Sequence, residues 1–551
     1  MLNIAYFSME IALEAGMHTY SGGLGVLAGD TLKTFADFGF NALGITLLHE
    51  KGYVDQELDP TGKQISLPEP WDKEQYLAKL PFTIGVPFQD RVVACAVWQY
   101  TITGRSGQEV SVYFLDANLP ENNDYDRTLT SYLYGGDDHY RLCQEQLLGQ
   151  GGLLLLDKLV FQPEKVRVYH LNEGHASFAA LALHSQAKDL ELIRSKIVFT
   201  THTPVPAGHD VFTRTEIEGS LPPNLVSLLP EEAFDADTLN MTKLAIYYAR
   251  IVTGVSQAHE KVAEQMFPGH DIVPITNGVY HPQWTHPALK KLYNKHIPAW
   301  QENPSSLEKV ATIPDEEIWQ AHCQAKQELL EYTNRASSTK LSVTNFTIGF
   351  ARRVTLYKRA TLILSDLSRL EEIAHHAGPL QIIFAGEAHP QDEEATEIIA
   401  QIVQKARQVT GGDLAITYLE DYNMDLALKL IPGVDLWLNT PRPPHEASGT
   451  SGMKAALNAV PHWSVLDGWW PEGWVEGVTG WSISSQEPAD DDLYRKLADE
   501  ILPLYYEDRP GFIQVMKQAA ALNGARFSAY RMVREYEAKV YQQHPPNEPT
   551  S

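Results

Sequence analysis

The stretch Asn439-Thr-Pro-Arg-Pro-Pro-His-Glu446-Ala-Ser448-Gly449-Thr450-Ser451-Gly452-Met453-Lys454 follows an apolar run ending at Leu438, and from Met453 its composition favours a helix. Small residues let backbone N–H groups converge, and a helix start adds its positive dipole end, so this is a candidate anion site. That dipole favours an acid in the first turn rather than a lysine. Lys454 therefore either binds an anion as a point charge or performs amine chemistry such as imine formation. A Gly/Ser turn followed by a surface lysine is the bland alternative.

A second cluster, Arg352-Arg353-Val-Thr-Leu-Tyr357-Lys358-Arg359, puts four cations into eight positions of a chain with formal charge −26. Two of them, Arg353 and Lys358, can face one ligand across a loop, and cations at a strand's carboxyl end suit a phosphate. The competing reading is a solvated basic helix start. A third feature, Ser21-Gly22-Gly23-Leu24-Gly25, lies after the strand-like residues 3–7; it is neither a Walker loop nor the dinucleotide fingerprint. His175 and His202 each follow a strand candidate, and isolated histidines are commonly packing residues. No Gly-x-Ser-x-Gly elbow and no zinc spacing is present, so serine-triad hydrolysis and a metal site are not expected.

These residues need a scaffold. Buried-strand runs at 196–200, 345–350, 380–385, 414–418 and 434–438 alternate with helix-length segments such as 392–407 and 425–431. That alternation predicts α/β structure with parallel sheets. At 551 residues the chain exceeds one core. The small polar stretch 334–340 suggests a boundary giving 1–336 as an N-terminal α/β domain and 337–525 as a regular doubly wound unit. Residues 526–551, a helix and a polar tail, are expected to pack back on the first domain. The ligand is expected between the domains, at the strands' carboxyl ends.

Acidic excess, 70 Asp and Glu against 44 Lys and Arg, argues against nucleic acid or an anionic membrane as partner. Three scattered cysteines, Cys95, Cys143 and Cys323, and an N-terminus without a leader pattern point to the cytoplasm.

Taken together, these segments resemble the α-glucan (glycogen, starch, maltodextrin) phosphorylases, closest to a short bacterial branch. The carrying motifs are Glu446-Ala-Ser-Gly-Thr450 with Met453-Lys454, Arg353 with Tyr357-Lys358-Arg359, Gly22-Gly23-Leu24-Gly25, Asn172-Glu173-Gly-His175 and Thr201-His202-Thr203. Tyr418-Leu-Glu-Asp-Tyr422, Thr276-Asn277-Gly278 and Leu466-Asp467-Gly468 add to them in the same order. The resemblance implies the GT-B architecture, two Rossmann-like doubly wound domains facing a central cleft. It implies pyridoxal 5'-phosphate as cofactor on Lys454, its phosphate surrounded by Thr450, the backbone of Ser451, Gly23 and Arg352, with Tyr422 near its ring. Arg353 and Lys358 would hold the substrate phosphate. Glu446, Ser448, Gly449, Tyr357 and His202 would contact the glucosyl unit, with Glu173 and His175 in the same substrate site; His202 also counts among the catalytic groups.

The implied reaction is reversible, retaining phosphorolysis of an α-1,4-glucan by inorganic phosphate to α-glucose 1-phosphate. Homodimers are common in that family, and no interface is readable here. Phosphorylation-dependent control of the kind seen in large animal enzymes is not expected, because the chain begins close to the Gly-rich loop. Two departures stand out: Ser451-Gly452 replaces Gly-Asn of the large enzymes, and Thr253 replaces an Asn at a sugar-contacting position. The alternatives are a retaining GT-B transferase using a nucleotide sugar, or a non-catalytic glucan-binding homologue. Synthases of the first kind carry a second glutamate eight positions after the first, where this chain has Lys454.

Overall fold

A computed structural model describes residues 3–159, 166–337, 339–409, 411–486 and 489–542. The polar tail expected after 542 lies outside the described residues. Residue contacts divide the chain into two compact units.

The first unit comprises Met1–Tyr53, Pro68–Thr276 and Met532–Ser551. Its nine-stranded sheet runs Ile272–Pro274, Ile251–Gly254, Ile197–Thr200, Val168–Asn172, Asn3–Ser8, Asn41–Leu47, Glu109–Asp116, Val92–Thr103, Ala78–Pro87. Strands from Ile272–Pro274 through Glu109–Asp116 are parallel, and the last two add an antiparallel hairpin. Val168–Asn172 is buried at every position, as a parallel strand covered on both faces must be. The crossover helix Gly23–Asp37 lies so close to the preceding loop that a Cβ on Gly29 would fall 1.8 Å from the Ala12 carbonyl oxygen.

The second unit comprises Val54–Leu67 and Asn277–Arg531. Its six-stranded, fully parallel sheet runs Leu414–Leu419, Leu380–Ala385, Phe346–Ala351, Leu436–Asn439, His462–Val465, Gly480–Ile483. Numbered along the chain, that is the doubly wound order 3-2-1-4-5-6, which reverses between Phe346–Ala351 and Leu436–Asn439. All five strand runs expected from the sequence are present, as are helices Glu393–Gln408 and Met424–Gly433.

The division falls at Thr276/Asn277 rather than within 334–340. The physical reason is helix Asp315–Ala336, whose Lys326 ammonium reaches Asp435 at 2.5 Å and the Asn345 carbonyl at 2.7 Å. His322 meets the same carboxylate at 2.8 Å, and all three side chains are almost fully buried. The helix is thereby bolted to the second sheet. The C-terminal segment is also less regular than expected: a helix at Ala529–Tyr536 widens into a π-turn at Glu537–Tyr541.

Candidate active site

In a doubly wound sheet, ligands bind beyond the carboxyl ends of the strands where the strand order reverses. In the second unit Arg352 directly follows Phe346–Ala351, and Asn439 ends the neighbouring strand Leu436–Asn439. Arg352 Nη1 donates to Asn439 Oδ1 at 3.3 Å, and Nη2 donates to Glu446 Oε2 at 2.5 Å. Lys358 Nζ lies 3.5 Å from the same oxygen. Burial pushes the Glu446 carboxyl up, but Arg352 and Lys358 outweigh it and hold the group below the ordinary carboxylate range.

Glu446 is fixed by its backbone. Its N–H donates to Asp467 Oδ2 at 2.9 Å, while Asp467 Oδ1 accepts from Gly468 N–H at 2.9 Å. Burial brings the Asp467 carboxyl up to about 6. Gly468 has φ +60, and a Cβ there would lie 2.4 Å from the Ser448 carbonyl, so the two loops can meet only at a glycine.

The lysine helix runs Ser451–Leu457, with Thr450 as its N-cap. Two turns give little macrodipole, so charge near Lys454 must come from side chains. Lys454 is buried, its ammonium 3.3 Å from the centroid of the Trp284 ring. Asn458 ties that segment to the helix: its Nδ2 donates to the Trp284 carbonyl at 2.8 Å and its Oδ1 accepts from His286 N–H at 2.7 Å. Ser451 Oγ accepts from the Trp437 indole at 3.0 Å, leaving its backbone for other partners. The departure at Gly452 has a steric cause, since a Cβ there would meet the His462 ring at 2.8 Å. Tyr422 is half-buried, and its hydroxyl, raised by burial, feels the opposing charge of Arg352.

The structure thus brings Arg352, Lys358 and Glu446 into contact, with Ser448, Gly449, Thr450 and Lys454 following Glu446 on one loop and helix. Tyr357 stands edge-on to His445, ring centroids 5.8 Å apart, and Arg353 is exposed. Among the described residues, Arg352 Nε, Ser448 Oγ and Thr355 Oγ1 are buried polar atoms without a hydrogen-bond partner. A buried amine with unused guanidinium and hydroxyl donors fits a phosphate-bearing aldehyde such as pyridoxal phosphate.

The first unit presents its own reversal point, between Asn3–Ser8 and Val168–Asn172, where Asn172 Nδ2 donates to Ser8 Oγ at 3.0 Å. Beyond these strand ends, Glu10 Oε2 accepts from Ser21 N–H at 2.7 Å and Gly22 N–H at 3.3 Å, and Glu10 Oε1 accepts from the Tyr134 hydroxyl at 2.8 Å. The loop glycines divide by role: a Cβ at Gly25 would strike Glu10 and Tyr20, whereas Gly22 and Gly23 face open space. Glu173 has φ +75 and ψ 166, a strained backbone for a side chain of its size. Its carboxylate accepts from Gly174 N–H, His202 N–H and Thr203 Oγ1 at 3.0, 2.7 and 3.0 Å.

His202 Nε2 faces Asn172 Oδ1 at 2.8 Å, which makes Nε2 the protonated nitrogen. Burial, opposed by Glu173, brings this imidazole down to about 4, so it is neutral at pH 7. His175 Nε2 lies 3.0 Å from Asp210, itself paired with Arg141 at 2.7 Å. Thr253 is fully buried. Its hydroxyl is 2.7 Å from Thr200 and 3.3 Å from the Tyr536 hydroxyl, so it serves the interior of the first unit.

Sequence reasoning missed Trp284, Glu10, Asn439 and the Arg141–Asp210 pair. Each acts through a partner distant in the chain, and residue type gives no signal for that. The pairing of Asp467 with Glu446 was equally hidden, although Leu466-Asp467-Gly468 stood out as a motif.

The carbohydrate phosphorylase family matches residues 223–470, and the starch synthase catalytic domain matches residues 4–271. Maltodextrin phosphorylase of Thermococcus litoralis is 39% identical, the match covering 98% of this chain and 70% of that protein. Glycogen phosphorylase of Aquifex aeolicus is 33% identical over 98% and 86%. The chain belongs to the carbohydrate phosphorylase family. As in this family and in starch synthases, its α/β units are the Rossmann-like halves of a GT-B fold. A protein of Methanocaldococcus jannaschii without assigned function is 30% identical over 98% of this phosphorylase homologue and 99% of its own length. Among the described residues no helix is long and apolar enough to cross a membrane, and no group of acids, histidines or cysteines is arranged to hold a metal.

Proposed function

We propose that the chain is an α-1,4-glucan phosphorylase that moves a terminal glucosyl unit from a glycogen- or maltodextrin-like glucan to inorganic phosphate, reversibly and with retention. One observation carries the reading: a buried lysine on the helix after Glu446, with Arg352 and Lys358 converging on that carboxylate, in a chain of the phosphorylase family. The relatives named maltodextrin and glycogen phosphorylase support this substrate class. The bond from the anomeric carbon to the glycosidic oxygen breaks, that oxygen takes a proton from phosphate, and a phosphate oxygen bonds the anomeric carbon.

Lys454 would hold pyridoxal phosphate, with Thr450, the Ser451 backbone, Gly23 and Arg352 around its phosphate and Tyr422 near its ring. When bound, that group supplies a second phosphate able to exchange a proton with the first. Lys358 and Arg353 would hold the substrate phosphate, where two adjacent anions need cations. Glu446, Ser448, Gly449, Tyr357, His202, Glu173 and His175 would bind the sugars. Neutral His202 suits this, since Nε2–H on Asn172 leaves Nδ1 as an acceptor for a hydroxyl. We place the protein in the cytoplasm, where three unpaired cysteines are at home.

Borohydride reduction followed by intact-mass measurement tests the cofactor, with Lys454→Ala as control; phosphate-dependent release of glucose 1-phosphate from maltodextrin tests the reaction. An adduct on the wild type alone, with release, is expected. No adduct after incubation with the cofactor overturns the reading. The starch synthase match over residues 4–271 motivates one second reading, a nucleotide-sugar transferase. Glucosyl transfer from ADP-glucose without phosphate dependence would favour it.

A further inference from the structure

The segment carrying Lys358 has little packing of its own beyond the edge-on contact of Tyr357 with His445. Leu356–Lys358 is a single 3-10 turn with no buried residue, and Leu356 is 59% exposed. A turn of that kind opens at little cost unless hydrogen bonds outside it fix the backbone. Here they do. The carbonyl oxygens of three consecutive residues, Tyr357, Lys358 and Arg359, all accept from the loop that follows Leu436–Asn439. Arg442 N–H donates to Tyr357 O at 2.7 Å, and the Thr440 hydroxyl is shared between Lys358 O and Arg359 O, 2.9 Å from each.

Arg359 closes the arrangement from the other side. Its Nε donates to Thr440 O at 3.0 Å and its Nη2 to Pro441 O at 3.2 Å. Arg359 also sits at φ +45, a left-handed backbone that a non-glycine residue adopts only where its surroundings enforce it. The four cations of this segment therefore separate by role. Arg352 and Lys358 face the Glu446 carboxylate, Arg353 is exposed, and Arg359 binds backbone carbonyls.

We propose that Arg359 and Thr440 are positioning residues: a reciprocal clamp that sets where the Lys358 ammonium stands relative to Glu446 and hence how phosphate is bound. The inference rests on the phosphorylase reading for its link to phosphate. The clamp itself rests only on the hydrogen bonds between residues 357–359 and 440–442. Thr440 is 1% exposed, so Thr440→Val replaces the hydroxyl by a methyl of similar size, and Thr440→Ser retains the donor. Arg359→Gly keeps the left-handed backbone and deletes the guanidinium.

The test uses the cofactor-loaded full chain. Initial rates give KM separately for inorganic phosphate and for maltodextrin. Acetic anhydride labelling with peptide mass spectrometry gives the modification rate of Lys358. Losing one such hydrogen bond is expected to raise the phosphate KM of Thr440→Val about tenfold. The maltodextrin KM should stay within about twofold, because a uniform loss would raise both alike. Thr440→Ser should behave as wild type, Arg359→Gly should follow Thr440→Val, and both Thr440→Val and Arg359→Gly should label faster at Lys358. Equal rises in both KM values, or wild-type labelling in Thr440→Val, would overturn the clamp. If the wild type releases no glucose 1-phosphate, the phosphorylase reading fails while the Lys358 labelling rates still decide the clamp.

Discussion

Replacing Glu446 by Gln removes one negative charge from between two cations in a buried place. The carboxylate oxygen is 2.5 Å from Arg352 and 3.5 Å from Lys358, and its side chain is 11% exposed. At an effective dielectric near 20, unit charges at those separations attract by roughly 7 and 5 kcal/mol. Desolvation of all three groups offsets much of that, and removing one partner of a buried pair costs about 3–5 kcal/mol. For a unit of this size roughly 2 °C accompanies each kcal/mol, so Tm should fall by roughly 6–10 °C at pH 7.

Two further readouts make the case specific. Phosphate can replace the lost counter-charge, so adding it should raise the Tm of Glu446→Gln more than that of the wild type. The folded-state carboxyl is held below its unfolded value, so its stabilisation is complete above the unfolded pKa of about 4.3 and is lost as pH falls through the folded one. The gap between the proteins should therefore close on acidification. Differential scanning fluorimetry across pH 3–8, with and without phosphate, measures all three effects. Equal melting temperatures at pH 7, or a gap that widens in acid, would refute the reasoning.

Trp284→Phe keeps an aromatic face under the Lys454 ammonium and Trp284→Leu does not, so urea midpoints should place the leucine variant about 1–2 kcal/mol lower. Gly29→Ala forces a methyl to 1.8 Å from the Ala12 carbonyl and should lose the folded first unit, judged by soluble yield and circular dichroism. Gly23→Ala meets nothing within 4 Å and should fold normally. Lys326→Met leaves Asp435 buried without its ammonium and should cost about 3–5 kcal/mol in chemical denaturation. Lys326→Met with Asp435→Asn should recover part of that loss.

The second sheet was legible because its strands are near-continuous apolar runs, which parallel strands covered on both faces require. Lys454, Arg352 and Lys358 stood out in the sequence as candidates because lysine in a helix's first turn, and cations clustered in an acidic chain, need a reason, and the structure buries Lys454 and sets the other two on Glu446. The unit boundary was not. Residues 334–340 have linker composition, but the preceding helix is tied to Asp435, more than a hundred residues ahead, by Lys326 and His322. Composition sees the loop and not the bolt. Likewise Arg359 reads as one more phosphate cation until its guanidinium is found on two carbonyl oxygens. Trp284 could be found only by knowing that its segment lies against the lysine helix.

The first unit is completed by a segment that follows the whole second unit in sequence. The Tyr541 hydroxyl hydrogen-bonds with the buried His170 at Nδ1, 2.7 Å away, and the Tyr536 hydroxyl joins Thr200 and Thr253. On the ribosome these tyrosines emerge some 260 residues after Thr276, where the rest of that unit ends. At elongation rates of about 5–20 residues per second, the first unit waits on the order of 10–50 s with its histidine and threonines uncapped. The nascent first unit thus lacks both tyrosines through the whole synthesis of the second unit, and its maturation is timed by translation of residues 532–541.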